Sequence, residues 1–351
     1  MKVPIETVRG TPYEMGLQHG RIFRHLIHAN VAQYAKRHTF EGSDERLDET
    51  LAGQRAIQEE LCPWVFEELR GIAQGSGVDL PWIERLHMRI WNILPNAPYP
   101  GDATGCTIIG MKTPDGVAVG GVLDDPRSVY VLVRRIPKDG IPHISTVWAG
   151  TCWGHNGCNE AGFSLAQASG GHFEGGRIPV DEVQLRIEMV LRMMLQTCTT
   201  VHEALEVMKG RRQGCSLVLG DAKGNLVLQQ EAGIPAVLHA DDAGGMVYAS
   251  NHMHLPGVVG FLARHGVKPV LSDYSRNRFE VLQQADKSGI RTVAALKALL
   301  RSHDRFPHSI CNNNSVWANL MLPEKEPGVF YVCDKPVCRS EFAPHMVKGG
   351  T

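Results

Sequence analysis

Residues 106–125, CTIIGMKTPDGVAVGGVLDD, carry two apolar runs joined at Pro114-Asp115-Gly116. A turn tripeptide between such runs specifies a β-hairpin, and it returns the end of the second strand to the start of the first. Further strands are predicted over 128–136, 143–149 and 163–169, then 215–221, 226–232 and 246–251, and finally 316–322 and 329–334. Strands that come in hairpin groups, instead of alternating singly with helices, point to antiparallel sheets covered by helices, the α+β class.

Helical patterns fill the spaces between. Over 10–40, Thr11 and Glu14 form a capping box with Pro12 at the first helical position, and Leu17, Ile22, Leu26, Ile27 and Val31 follow as an apolar stripe. A second helical stretch spans 46–75, so the first hundred residues read as mostly helical. Asp181 heads a helix over 182–196. Thr200 and Glu203 make another capping box, with Gly210 just beyond that helix, and 274–287 with 293–302 form a helical pair. No internal repeat or low-complexity segment interrupts the pattern.

At 351 residues the chain can bury a large core, and 43% hydrophobic with 21% charged residues is a globular composition. A net charge of −1 argues against a nucleic-acid partner. No apolar run approaches a membrane span, and Glu6 and Arg9 fall too early for a signal core. The expectation is a cytoplasmic protein with no membrane partner. Nine cysteines, an odd number in a long chain, read as reduced thiols. No phosphate-cradling glycine loop is present, so no cofactor is expected. His252 and His254 are placed on one face of a strand but lack a third ligand at a telling spacing, and no metal is expected. Arg134-Arg135 reads as a solvated strand end, and Asp102 as a turn residue.

Three cysteines follow a glycine: Cys106, Cys158 and Cys215. Free cysteine is most often a small buried hydrophobe. Cys215 opens a core hairpin, and Cys158 lies in the turn-like GHNGCNEAG. Cys106 stands where helix gives way to strand, with Asp124-Asp125 ending the next strand. A one-residue slip exchanges the faces of these two aspartates, and alternation alone leaves the pair open. A cysteine freed at an N-terminus carries its own base, because an α-amine titrates near 7.7–8.0 while a thiol titrates near 8.5. Gly105 before it leaves its own carbonyl open to attack.

In order along the chain, GTPYEMGLQHG near the start, GCT at 105–107, GCNEAGFSL at 157–165, SNH at 250–252 and SRNRF at 275–279 resemble the acyl-coenzyme A:isopenicillin N acyltransferase family of N-terminal nucleophile hydrolases, distant from the choloylglycine hydrolases. The resemblance implies a four-layer αββα sandwich and a precursor that cuts itself between Gly105 and Cys106. Residues 1–105 would become a helical small subunit and 106–351 a catalytic large one, with a dimer of this unit left open. It further implies Cys106 as nucleophile, Asp124 on the new amine, Asn251 at the oxyanion, and Arg278, or else Arg276, in support. Ser169 matches a second oxyanion position that is asparagine in the bile-salt branch. Gly121 stands where that branch has arginine, and Ser315-Val316 where the penicillin enzyme has a Ser-Arg pair. Trp148 and Trp153 flank a glycine-rich loop and are candidates for an acyl pocket. The activity implied is amide hydrolysis of a small N-acyl amide through a thioester. The alternatives are acyl transfer from acyl-coenzyme A and an uncut, non-enzymatic ligand-binding homologue.

Overall fold

The computed structural model describes residues 4–37, 44–88, 105–126, 128–170, 173–174, 185–210 and 214–347. Asp181 and Asp102 lie outside them. In chain order the elements are β1 (Ile5–Gly10), α1 (Pro12–Ile22), α2 (Arg24–Arg37), α3 (Asp44–Leu61), α4 (Trp64–Ser76), α5 (Leu80–Met88), β2 (Gly105–Thr113), β3 (Gly116–Asp124), β4 (Tyr130–Pro137), β5 (His143–Trp148), β6 (Gly157–Asn159), β7 (Ser164–Ser169) and β8 (Phe173–Glu174). There follow α6 (Ile187–Thr197), α7 (Val201–Met208), β9 (Cys215–Gly220), β10 (Leu226–Glu231), β11 (Pro235–His239), β12 (Met246–Ala249), α8 (Pro256–Arg264), β13 (Lys268–Pro269), α9 (Asp273–Lys287), α10 (Val293–Leu300), β14 (Ser315–Met321), β15 (Val329–Asp334) and β16 (Phe342–Met346).

Among the described residues, one sheet has the order β1-β4-β5-β6-β7-β9-β10-β11 and the other β12-β2-β3-β14-β15-β16. The β2–β3 hairpin faces β7 and β9 of the larger sheet. Alternation along β2 explains how one strand serves two interiors. Ile108 joins Val119, Leu165 and Leu217 in the core between the sheets, whereas Ile109 and Met111 join Leu282, Leu296 and Leu300 under α9 and α10. Helices α1, α6 and α7 pack on the larger sheet. The result is the four-layer αββα sandwich of an α+β protein. No helix among the described residues is long and apolar enough to cross a membrane.

Both capping boxes form as their sequences specify. The helical preface breaks at Phe23, the C-cap of α1, and again at Cys62-Pro63, where a proline inside a helical pattern removes a backbone donor. Ahead of it, β1 pairs in parallel with β4, an exception to the expected antiparallel pairing. Helix α1 packs on α4 through facing glycines. A Cβ on Gly16 would lie 2.0 Å from the Glu68 carbonyl oxygen, and one on Gly71 2.3 Å from that of Tyr13, so only glycine admits this approach.

The solvated reading of Arg134-Arg135 fails at its second residue. Arg135 is fully buried, and its Nε donates to Glu68 Oε1 at 3.1 Å. Glu68, on α4, also accepts from Arg192 of α6 at 3.3 Å. Strand alternation turns Arg135 toward the helical layer, where Glu68 supplies the counter-charge. Sequence patterning finds the arginine pair but not this remote carboxylate.

Removing one member of a buried ion cluster leaves its partners charged and unpaired. Glu68→Ala is expected to destabilise the fold by about 3–5 kcal/mol, read as a lower urea midpoint at unchanged m-value. A midpoint within error of the wild type would show that the cluster contributes nothing.

Candidate active site

The β2–β3 register places Gly105 opposite Asp124 and Cys106 opposite Leu123. On its other edge β3 pairs with β14, and Ser315 also lies opposite Asp124. The start of β2 is thus flanked by a buried carboxylate, with α9 packed above it.

Arg278, on α9, is the hub of this site and has no solvent exposure. Its Nη1 donates to the Cys106 carbonyl oxygen at 2.5 Å and to Thr107 Oγ1 at 3.0 Å. Its Nη2 donates to Asn251 Oδ1 at 2.7 Å, and its Nε to the Tyr274 carbonyl at 2.9 Å. Asp124 Oδ2 stands 3.8 Å from Nη1. Arg276, the rival position, lies on the exposed face of α9 and pairs with Asp273.

Asp124 accepts from Tyr274 Oη and from Ser315 Oγ, each at 2.7 Å. Asn312 Nδ2 donates to the same Tyr274 oxygen at 3.0 Å. Burial pushes the Asp124 carboxyl up, against the opposing pull of Arg278, Ser315 and Tyr274. Asp125 accepts from Tyr130 Oη at 3.1 Å instead.

Asn251 follows β12 and meets the cysteine at its backbone. Its Oδ1 accepts the Cys106 N–H at 2.9 Å. Because a guanidinium only donates, the Asn251 atom facing Arg278 must be the oxygen, which fixes the amide's orientation. The Nδ2 therefore points the other way, donating to Ser169 Oγ at 3.0 Å and the Ser169 carbonyl at 3.2 Å. Ser275 Oγ anchors the Asn251 backbone N–H at 2.9 Å.

Gly105 has no room for a side chain. A Cβ there would sit 2.5 Å from Asn251 Oδ1, 2.8 Å from Arg278 Nη2 and 2.8 Å from Tyr274 Cε1. The Cys106 thiol is pushed up to about 12 in the uncut chain. Burial is the main cause, with the charge of Asp124 adding to it, while Arg278 and a Ser169 backbone hydrogen bond act the other way.

The other candidates have the following surroundings. Trp153 donates from Nε1 to the His87 carbonyl at 2.8 Å and packs on Trp148. Cys158 sits within strand β6, not in a turn, and Cys215 begins β9; both are buried core thiols that burial pushes up. A Cβ on Gly121 would meet Asn156 Nδ2 at 3.1 Å. His252 and His254 are not on a strand. They follow β12 in a bend and pack on Phe279, with both rings pushed down to about 4 by burial. Turning of the chain after Ala249 removes the strand geometry that would have aligned them. Tyr274, Asn312 and Ser275 were not singled out by the sequence. Tyr274 and Ser275 sit within four residues of Arg278, which is the signal that was available.

The family model described as acyl-coenzyme A:6-aminopenicillanic acid acyl-transferase matches residues 126–320, more than half of the chain. Similar solved structures include a Caenorhabditis elegans N-acylethanolamine-hydrolyzing acid amidase ortholog, 14% identical over 62% of this chain and 93% of its own, with a TM-score of 0.44. A penicillin V acylase from Agrobacterium tumefaciens is 14% identical, covering 66% of this chain and 83% of its own at a TM-score of 0.41. A conjugated bile acid hydrolase from Clostridium perfringens is 12% identical, covering 69% and 97% at a TM-score of 0.41.

The two neighbouring aspartates should separate on substitution. Asp124→Asn takes the counter-charge from a buried guanidinium and is expected to cost about 3 kcal/mol of stability. Asp125→Asn keeps an acceptor for Tyr130 and should cost less than about 1 kcal/mol. Urea midpoints for the two proteins decide it, and equal losses would deny Asp124 its special place.

Proposed function

The chain belongs to the acyl-coenzyme A:6-aminopenicillanic acid acyltransferase family and is an enzyme of amide-bond chemistry; on that premise we propose that it is a self-processing cysteine amidase that hydrolyses a small N-acyl amide. One observation carries the reading. The Cys106 peptide nitrogen, which cleavage would turn into an α-amine, already donates to a half-buried acceptor, Asn251 Oδ1.

In the precursor the Cys106 sulfur attacks the Gly105 carbonyl carbon. The C–N bond to Cys106 breaks, the Gly105 acyl group passes to sulfur as a thioester, and the thiol proton ends on the departing nitrogen. Water then hydrolyses the thioester, freeing the thiol and a carboxylate on Gly105. The thiol is a weak nucleophile while the chain is whole, and the attack relies on enforced proximity. Cleavage then changes the electrostatics. A free α-amine supplies a base near neutral pH, and its protonated form beside the sulfur favours the thiolate. Activation and turnover thereby use one atom pair, and residues 1–105 and 106–351 become the two subunits.

In turnover the sulfur attacks the substrate carbonyl and the α-amine takes the thiol proton. The amine returns that proton to the leaving nitrogen as the C–N bond breaks, leaving an acyl thioester for water to release. Asp124 and Arg278 hold the local charge balance. Asn251 holds the α-amine through Oδ1, and its Nδ2, which donates to Ser169 in the uncut chain, turns to the oxyanion in place of one of those acceptors. Acyl transfer is the second reading, favoured by the family's description. It shares every step up to the thioester and differs in whether an amine or water accepts the acyl group.

Purified wild type should give two masses, the larger fragment beginning at Cys106, and Cys106→Ala should remain a single chain. Gly105→Ala should slow cutting, since its methyl group collides with Asn251 and Arg278. A wild type that is active as one intact chain would refute the N-terminal amine mechanism.

With processed protein, Asn251→Ala is expected to lower kcat by about 10²–10³ with little change in KM, as for loss of one oxyanion donor. Near-normal kcat in a stable, fully cut variant would remove Asn251 from the chemistry. Release of the thioester is assayed with and without an added amine, and a product amide in preference to free acid would make the enzyme a transferase.

A further inference from the structure

Three side chains from two loops flanking strands of the six-stranded sheet converge. His303 and Cys311 belong to the segment between α10 and β14, and Cys338 to the turn between β15 and β16. Their ligand atoms all lie within 4.8 Å of one another. Two sulfurs bound to one tetrahedral zinc at 2.3 Å would be about 3.8 Å apart, so sub-ångström to ångström shifts would close the site. Cys311 is buried, Cys338 half-buried and His303 exposed, which opens the cluster to solvent on one side.

We propose that His303, Cys311 and Cys338 bind a soft divalent transition metal, zinc first among them, with water completing the tetrahedron. The donor set argues for this class. Thiolate and imidazole select zinc over magnesium or calcium, and two thiolates neutralise a divalent ion at a half-buried position. Cys333 is not part of the set, because its sulfur is already engaged with the Val337 and Ser340 carbonyls.

The position gives the metal a role. Asn312, next to Cys311, donates to Tyr274 Oη, and Ser315 donates to Asp124. A metal joining Cys311 to Cys338 ties the segment carrying both donors to the β15–β16 turn. It would act as a structural clamp on the support of Asp124, without touching the reacting atoms.

The test is a titration of reduced, chelator-treated protein with Co²⁺. One equivalent is expected to produce thiolate-to-cobalt charge-transfer absorption and the visible bands of a tetrahedral site, both displaced by Zn²⁺. Cys338→Ser, at a half-buried and tolerant position, should abolish the bands, as should Cys311→Ser. His303→Ala should weaken binding roughly 10–100-fold, at least the loss seen when a supporting partner of a metal ligand is removed. Zn²⁺ should raise the thermal midpoint of the wild type and leave that of Cys338→Ser unchanged. Absence of the bands, their persistence in Cys338→Ser, or a Cys311–Cys338 disulfide whose reduced form takes up no cobalt would each overturn the proposal. Absorbance reads this independently of catalysis, so failure here leaves the amidase reading untouched.

Discussion

A guanidinium that cannot reach water must be surrounded by acceptors, and Arg278 dictates the arrangement of everything near the start of β2. Its donors meet the Cys106 carbonyl, Thr107 Oγ1, the Tyr274 carbonyl and Asn251 Oδ1, with Asp124 supplying the formal counter-charge. Its plane also lies over the Tyr274 ring, 4.2 Å from the centroid. Each of these contacts fixes something else. The Asn251 amide can face only one way, which leaves its oxygen on the Cys106 nitrogen and its NH₂ toward Ser169. Helix α9 is locked in register over the strand that carries the cysteine. Asp124 faces a charge that opposes the effect of burial.

A second buried charge cluster acts at a distance from the first. Glu68 belongs to the segment before Gly105, and its partners Arg135 and Arg192 belong to the segment after it. His19, also before Gly105, accepts the Gly150 N–H at 3.0 Å. Contacts of this kind tie the opening helices to the larger sheet independently of the covalent bond at 105–106. On the proposed reading, breaking that bond would release one chain end into a structure whose two parts remain bound through desolvated charge and shared core. On that reading the same independence lets Cys106 gain an amine without moving.

Around Cys106 the sheet itself performs the positioning. The hairpin register sets Asp124 across from Gly105, and the next ladder brings Ser315 to the same carboxylate. The Ser315 hydroxyl is spent on Asp124. Gly121 similarly leaves room that Asn156 occupies. The surroundings of the cysteine are therefore set by side chains from β14 and from the segment before β6 as well as by the hairpin itself.

Short-range chemistry made much of this molecule legible from sequence. The Pro-Asp turn fixed the β2–β3 hairpin, and with it the return of Asp124 toward Cys106. Thr11 with Glu14 and Thr200 with Glu203 set two helix starts, because caps and turns depend on residues three or four apart. The choice between Asp124 and Asp125, and between Arg276 and Arg278, is of another kind. Neighbours in sequence share composition and differ only in the face they turn, and the tertiary structure alone turns Asp124 and Arg278 inward together. Arg135 was misread as solvated because its counter-charge lies 67 residues away. His252 and His254 were aligned on a strand that ends before them. Tyr274, Asn312 and Ser315 meet around one carboxylate only after α9 and β14 have packed on the hairpin. By itself the sequence determined the β2–β3 hairpin, the capped helix starts and the chemistry available at a glycine-preceded cysteine. Only the tertiary structure decided which buried charges face one another, because desolvation and ion pairing act through space across separations that local patterning does not encode.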